Sequence, residues 1–190
     1  MKVIGISGSP RKDGNTEILV KHVLKPFYDK GWEVVEFFLS SMVINPCIGC
    51  ETCGETGMCA IEGDDMELLL SEFENCDALI IGTPVYYRNV TAQLKALFDR
   101  SFVFKNRKLL KGKLGGAIAV GRGEGGGQSL ALSIIHNYYL SSGALCVPGE
   151  INGLSARADK PGDILKQENR LRQATILGEN ILKYAELIRY

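Results

Sequence analysis

Short apolar runs alternate with helical patterns along this 190-residue chain, and that alternation restricts it to strand–helix–strand units around a parallel sheet. The apolar runs are Lys2–Ser7, Trp32–Leu39, Ala78–Gly82, Leu114–Val120 and Ala144–Pro148. A first helix is expected from Asn15, an N-cap residue, through Ile18, Leu19, His22 and Val23, with Pro26 kinking or ending it. A second follows Asp64-Asp65-Met66-Glu67, spaced like a capping box, and carries Met66, Leu69, Leu70 and Phe73 on one face. Further helices are expected through Leu94, Leu97, Phe98 and Ser101, over Ser129–Leu140, and over Asp163–Leu187. The expected fold is α/β, one domain over 1–190, with a doubly wound sheet of five parallel strands and helices on both faces.

Residues 40–62 have no helix or strand period, and a loop of that length inside a domain is usually functional or disordered. Cys47, Cys50, Cys53 and Cys59 crowd into its string PCIGCETCGETGMC with spacings x2, x2 and x5. One short loop can wrap such thiolates around a single centre, either an iron–sulfur cluster or zinc. Electron transfer is the first reading and a structural metal the second. The chain is 45% hydrophobic and 23% charged with zero formal net charge, and no charge run points to nucleic acid or an anionic membrane. The N-terminal stretch MKVIGISGSP is too short and too interrupted for a signal peptide or a membrane span, so the expected compartment is the cytoplasm. Thiols stay reduced there, which favours metal ligands or redox groups over disulfides. Cys76 and Cys146, outside the loop, read as buried small apolar residues, and His22 and His136 as packing or surface residues.

In open α/β sheets ligands bind beyond the carboxyl ends of the strands, which directs attention to three loops. The loop Ser7-Gly8-Ser9-Pro10-Arg11-Lys12-Asp13-Gly14-Asn15-Thr16 offers glycines, hydroxyls, an arginine and a helix N-terminus, a set suited to one terminal phosphate. It is not a Walker A loop, because Asn15 follows Gly14 where the phosphate-reaching lysine belongs. Thr83-Pro84-Val85-Tyr86-Tyr87-Arg88-Asn89-Val90-Thr91 sets two tyrosines beside a proline turn, able either to flank a planar cofactor or to pack beneath the loop. Gly121-Arg122-Gly123-Glu124-Gly125-Gly126 matches GxGxxG. It follows the fourth strand rather than the first, and Cys146 and Val147 stand where an acid for the ribose belongs, so it reads as a loop that lets a cofactor ring approach the backbone.

Together these motifs resemble the flavodoxin-like NADPH-dependent FMN reductase superfamily, and within it the iron–sulfur flavoproteins. SGSPRKDGNT, TPVYYRNVTAQLKALFDR, GRGEGGGQ and the compact cysteine motif carry the resemblance over nearly the whole chain. It implies the strand order 2-1-3-4-5. It implies an FMN phosphate held by Ser9, Arg11, Asn15 and Thr16, and a flavin ring lined by Pro84, Val85, Tyr86, Tyr87 and Asn89 and approached by Gly121 and Gly123. It also implies a 4Fe–4S cluster on Cys47, Cys50, Cys53 and Cys59, in the loop at about 45–62, and a homodimer or homotetramer. The expected function is electron transfer between a donor, ferredoxin or NAD(P)H, and a small or quinone-like acceptor, by cofactor chemistry without a catalytic side-chain pair. Two alternatives stay open: an FMN or quinone reductase with structural zinc or no metal, and a non-catalytic carrier or redox sensor. Arg88 stands where relatives often carry glycine, and Pro26 interrupts the first helix.

Overall fold

Five apolar runs become one parallel sheet in the computed structural model, which describes residues 1–104, 110–123 and 127–188. The strands are β1 (Lys2–Ser7), β2 (Glu33–Phe38), β3 (Ala78–Pro84), β4 (Leu114–Gly121), β5 (Leu145–Cys146) and β6 (Leu154–Arg157). The helices are α1 (Asn15–Asp29), α2 (Thr52–Thr56), α3 (Met66–Asn75), α4 (Ala92–Arg100), α5 (Gly127–Ser141) and α6 (Glu168–Ile188). The sheet runs in the order β2-β1-β3-β4-β5, as expected, and β6 also pairs with β4.

The expected fifth strand, Ala144–Pro148, is shortened to Leu145–Cys146, and a sixth strand, β6, follows it. β5 pairs with Leu114 and Gly115, and β6 with Ile118 to Gly121, so both share one edge of β4. Pro148 has no N–H to offer a ladder, and the chain leaves the sheet there before returning as β6.

β1, β3 and β4 are buried on both faces and therefore read as continuous apolar runs. Alternate residues divide between two cores. Ile4, Ile6, Leu79 and Ile81 pack with Met66, Leu69 and Phe73 of α3, Leu94 and Leu97 of α4, and Leu132, Ile135 and Tyr139 of α5. Val3, Ala78, Ile80 and Ile118 pack on the other face with Leu19, Val23 and Phe27 of α1 and Leu177 and Ile181 of α6. Tyr139, fully buried, sets its hydroxyl between the carbonyls of Leu79 (2.8 Å) and Gly116 (2.9 Å), its one proton shared by the two acceptors, and so fixes α5 across β3 and β4.

Several local expectations need correction. Gly14, not Asn15, is the N-cap of α1. Pro26 does not end that helix, which continues to Asp29; a proline this near the C-terminus removes one helical bond while the last turn persists. The capping box does not form, because the Asp64 and Asp65 carboxylates reach back to the 43–45 segment. The cysteine loop contains the short helix α2. The final pattern is a 3-10 turn, Asp163–Lys166, followed by α6.

Candidate functional site

β1 and β3 neighbour each other, while the connections from β1 and β3 lead to helices on opposite faces, so their carboxyl ends open a crevice. The two loops are bolted together there. Gly8 N–H donates to the Gly82 carbonyl (2.7 Å), and the buried Thr91 hydroxyl donates to the Gly8 carbonyl (2.6 Å) while accepting from Leu94 N–H as the cap of α4. Gly82 permits the close seating of α1: a Cβ on it would lie 2.7 Å from Val20 and 2.9 Å from Thr16.

The β1–α1 loop is rigidified from below. Ser9 Oγ accepts Arg11 N–H at 3.1 Å. Asp13, at φ 53°, donates its N–H to the buried Glu17 carboxylate, which also takes Lys21 Nζ at 2.7 Å. Gly14 places no side chain over the first turn of α1, so its N–H groups and the positive end of the helix dipole are left to the cleft.

That cleft has a volume of about 310 Å³. Ser9, Arg11, Asn15 and Thr16 form one wall and Pro84, Val85 and Tyr86 another, so seven of the residues singled out in the sequence meet. The Asn15 carboxamide is engaged elsewhere: Nδ2 donates to Lys160 O (2.8 Å) and Oδ1 accepts Ile164 N–H (3.1 Å), leaving its backbone N–H as its contribution.

Tyr87 and Asn89 stand outside this lining. Tyr86 and Asn89 close a tight turn by reciprocal 3.0 Å backbone bonds, with Tyr87 at φ 48° and Arg88 at φ 64° between them. The Tyr87 ring is fully exposed at the tip, and Asn89 Oδ1 accepts the N–H of Val90. Gly121 and Gly123 also lie off the lining. The Gln128 carboxamide sits where a Cβ on Gly121 would be, 2.6 Å away, and donates to the Gly123 carbonyl at 2.8 Å. Glu124, Gly125 and Gly126 of the glycine motif fall outside the described residues.

The remaining walls are Gly14 of the first loop, Arg122 of the glycine loop, and Val120, Ala158, Asp159 and Pro161, which sequence reasoning missed. Arg122 Nε pairs with Asp159 Oδ1 at 2.6 Å, and Arg11 Nη1 donates to Asp159 O at 3.5 Å, so the segment after β6 folds over the first loop. The signal was the alternation Leu154-Ser155-Ala156-Arg157 followed by Pro161-Gly162.

Another cavity, about 670 Å³, carries the four cysteines on its wall. Cys47, Cys50, Cys53 and Cys59 are all unpaired thiols. Facing them are Ile61, Phe73, Phe102, the stacked rings of Phe98 and Tyr138 (4.1 Å, 12°), and Arg100. The loop is folded by left-handed residues at Gly49, Glu51, Gly57 and Gly63, and Gly49 N–H points to Cys47 Sγ at 3.5 Å. Hydrogen bonds from Thr52 hold the Cys50 thiol below its usual pKa, while burial and the neighbouring Cys59 push Cys53 up.

Four free thiols on one wall suit a thiolate-bound metal group. They are not gathered at one centre: among the described residues no three His, Cys, Asp or Glu side chains are arranged to hold an ion. Cys76 is buried with its thiol raised to about 11 by desolvation, and it donates to Phe73 O. His22 and His136 line neither cavity.

A doubly wound sheet in the order β2-β1-β3-β4-β5 with a cleft at its switch point is a flavodoxin-like architecture. The family model of NADPH-dependent FMN reductases matches residues 1–157, and the chain belongs to that family, in its iron–sulfur flavoprotein branch. It is 39% identical to an iron–sulfur flavoprotein of Methanocaldococcus jannaschii over 193 residues, covering 100% of both chains. It is 38% identical to an iron–sulfur flavoprotein of Archaeoglobus fulgidus over 98% of this chain and 81% of the relative. The fold matches the crystal structure of a flavodoxin, WrbA-like protein from Agrobacterium tumefaciens with a TM-score of 0.69 at 16% identity, over 98% of this chain and 97% of that one. The chain is thus a flavin redox protein of the oxidoreductase class.

Proposed function

We propose that this protein binds FMN in the smaller cleft and a 4Fe–4S cluster on the cysteine loop, and passes electrons between NAD(P)H or a ferredoxin and a small, quinone-like acceptor. The observation that carries this reading is the pairing of two separate sites in one chain. One is a cleft with phosphate-type donors; the other is a cavity walled by four free thiols.

In this reading the first-turn N–H groups of α1, with Ser9, Thr16 and Arg11, hold the FMN phosphate. Pro84, Val85 and Tyr86 would line the ring. Cys47, Cys50, Cys53 and Cys59 would ligate the cluster. Zinc, the alternative, would take the same four thiolates at about 2.3 Å. Bound flavin exchanges electron pairs with a nicotinamide or quinone and single electrons with a cluster. The protein's part is to hold both groups and tune them through hydrogen bonds and burial.

We place the protein in the cytoplasm as a homodimer or homotetramer. Among the described residues no helix is long and apolar enough to cross a membrane.

The test is anaerobic mixing with NADH, NADPH or reduced ferredoxin while flavin absorbance is followed, then repeated turnover onto a quinone. Reduction by one of these donors with sustained turnover is expected. Single-turnover reduction without onward transfer would leave a carrier instead.

A further inference from the structure

Arg100 ends α4 inside the wall of the cysteine cavity, its side chain 1% exposed. Three of its hydrogen bonds lead to the backbone and carboxylate of the loop: Nη1 to Asp64 and to Asn45 O (3.4 Å), and Nη2 to Ile61 O (3.0 Å). These partners flank the cysteines in sequence, so the guanidinium plane is fixed against both ends of their loop. Its Nε–H is buried and has no acceptor among the described residues. A buried donor left unpaired is costly and rare, and here it sits in the wall of a cavity rich in sulfur.

Cys59 lines the same cavity as Arg100 and lies two residues before Ile61, whose carbonyl accepts from Nη2.

We propose that Arg100 is a built-in donor to the metal–sulfur group, its Nε–H bonding sulfur at the Cys59 corner and raising the cluster's reduction potential. An N–H···S bond draws electron density from sulfur and so favours the more negative, reduced state. The inference rests on the iron–sulfur reading above. It assigns a tuning role to a residue that neither ligates metal nor touches the FMN cleft.

The test compares the anaerobically purified protein with R100K and with the double variant D64N/R100Q. R100K keeps the charge and removes the planar Nε–H. The double variant removes both charges, so no ion is left buried and unpaired and the local net charge is unchanged. Iron, sulfide and FMN are quantified, and cluster and flavin are titrated potentiometrically. Expected are unchanged cofactor content, an unchanged flavin potential, and a reduction equilibrium of the cluster shifted about tenfold against the reduced form, about 59 mV for a one-electron couple. An unchanged cluster potential in either loaded variant overturns the proposal. Loss of iron from both variants also overturns it, leaving Arg100 a loop-tying role alone. Wild-type protein without sulfide would instead overturn the iron–sulfur reading itself, which the same sample shows separately.

Discussion

Asp64, in the loop before α3, and Arg100, the last residue of α4 and 36 residues away in sequence, form an ion pair whose side chains are each 1% exposed. Asp64 also accepts N–H from Asn45 (2.9 Å) and Met66 (3.1 Å), so one carboxylate joins the entry of the cysteine loop, its exit and α4. Removing one partner strands a buried charge. Asp64→Ala should therefore cost about 3–5 kcal/mol in urea unfolding, and D64N/R100Q distinctly less than the sum of the two single variants. Additive losses would contradict the pairing.

The same carboxylate gives a pH dependence. Burial pushes the Asp64 pKa up, but the Asn45 N–H, Arg100 and the Met66 N–H outweigh it, and the net value lies below the usual 3.8. The unfolded chain therefore takes up the proton first on acidification. Its stabilisation is complete above the ordinary carboxylate pKa and is lost as pH falls through the lower folded value. Unfolding free energies between about pH 6 and pH 3 should fall more steeply for the wild type than for Asp64→Asn. Parallel profiles would remove Asp64 from the account.

Flavin affinity tests the phosphate cradle. Thr16 is buried at the first turn of α1, and Thr16→Ala should weaken FMN about tenfold, the worth of one hydrogen bond to a charged group. Arg11 is exposed and screened, so Arg11→Ala should cost less, roughly threefold. Fluorescence titration of apoprotein reads both. Unchanged affinity in both variants would move the phosphate elsewhere.

Gly178 tests how α1 is held. A Cβ there would lie 2.2 Å from the Val23 carbonyl oxygen, at the contact of α6 with α1. Gly178→Ala should cost about 1–3 kcal/mol through forced separation, despite alanine's better helix propensity. A neutral or stabilising effect in thermal unfolding would show that the helices part freely.

Much of this architecture is legible in the residues because β1, β3 and β4 are buried on both faces and leave unbroken apolar runs. The loops after β1 and β3 follow directly, since topology alone delivers them to one crevice. β6 stayed hidden because its four residues alternate in burial and its pairing with β4 is purely non-local. With it went the wall of Ala158, Asp159 and Pro161. Arg100 was equally invisible: a charge at a helix end reads as solvated, and its burial depends on a loop folded from residues 45–64. The left-handed pair Tyr87 and Arg88 turned two expected ring contacts outward, which no residue preference would have suggested.

Separateness of the two sites makes a further prediction. On the proposed reading, Cys50→Ser should abolish the cluster while FMN stays bound, because Cys50 lines the larger cavity and no residue of the cysteine loop lines the smaller one. Joint loss would mean that the cluster organises the flavin cleft.

The most direct measurement is flavin, iron, sulfide and zinc analysis of one anaerobically purified sample, read beside its visible spectrum. The account predicts FMN with about four irons and four sulfides per chain, as four thiolates holding a 4Fe–4S cluster require. FMN with one zinc and no sulfide would contradict it and leave a flavin reductase with a structural clip.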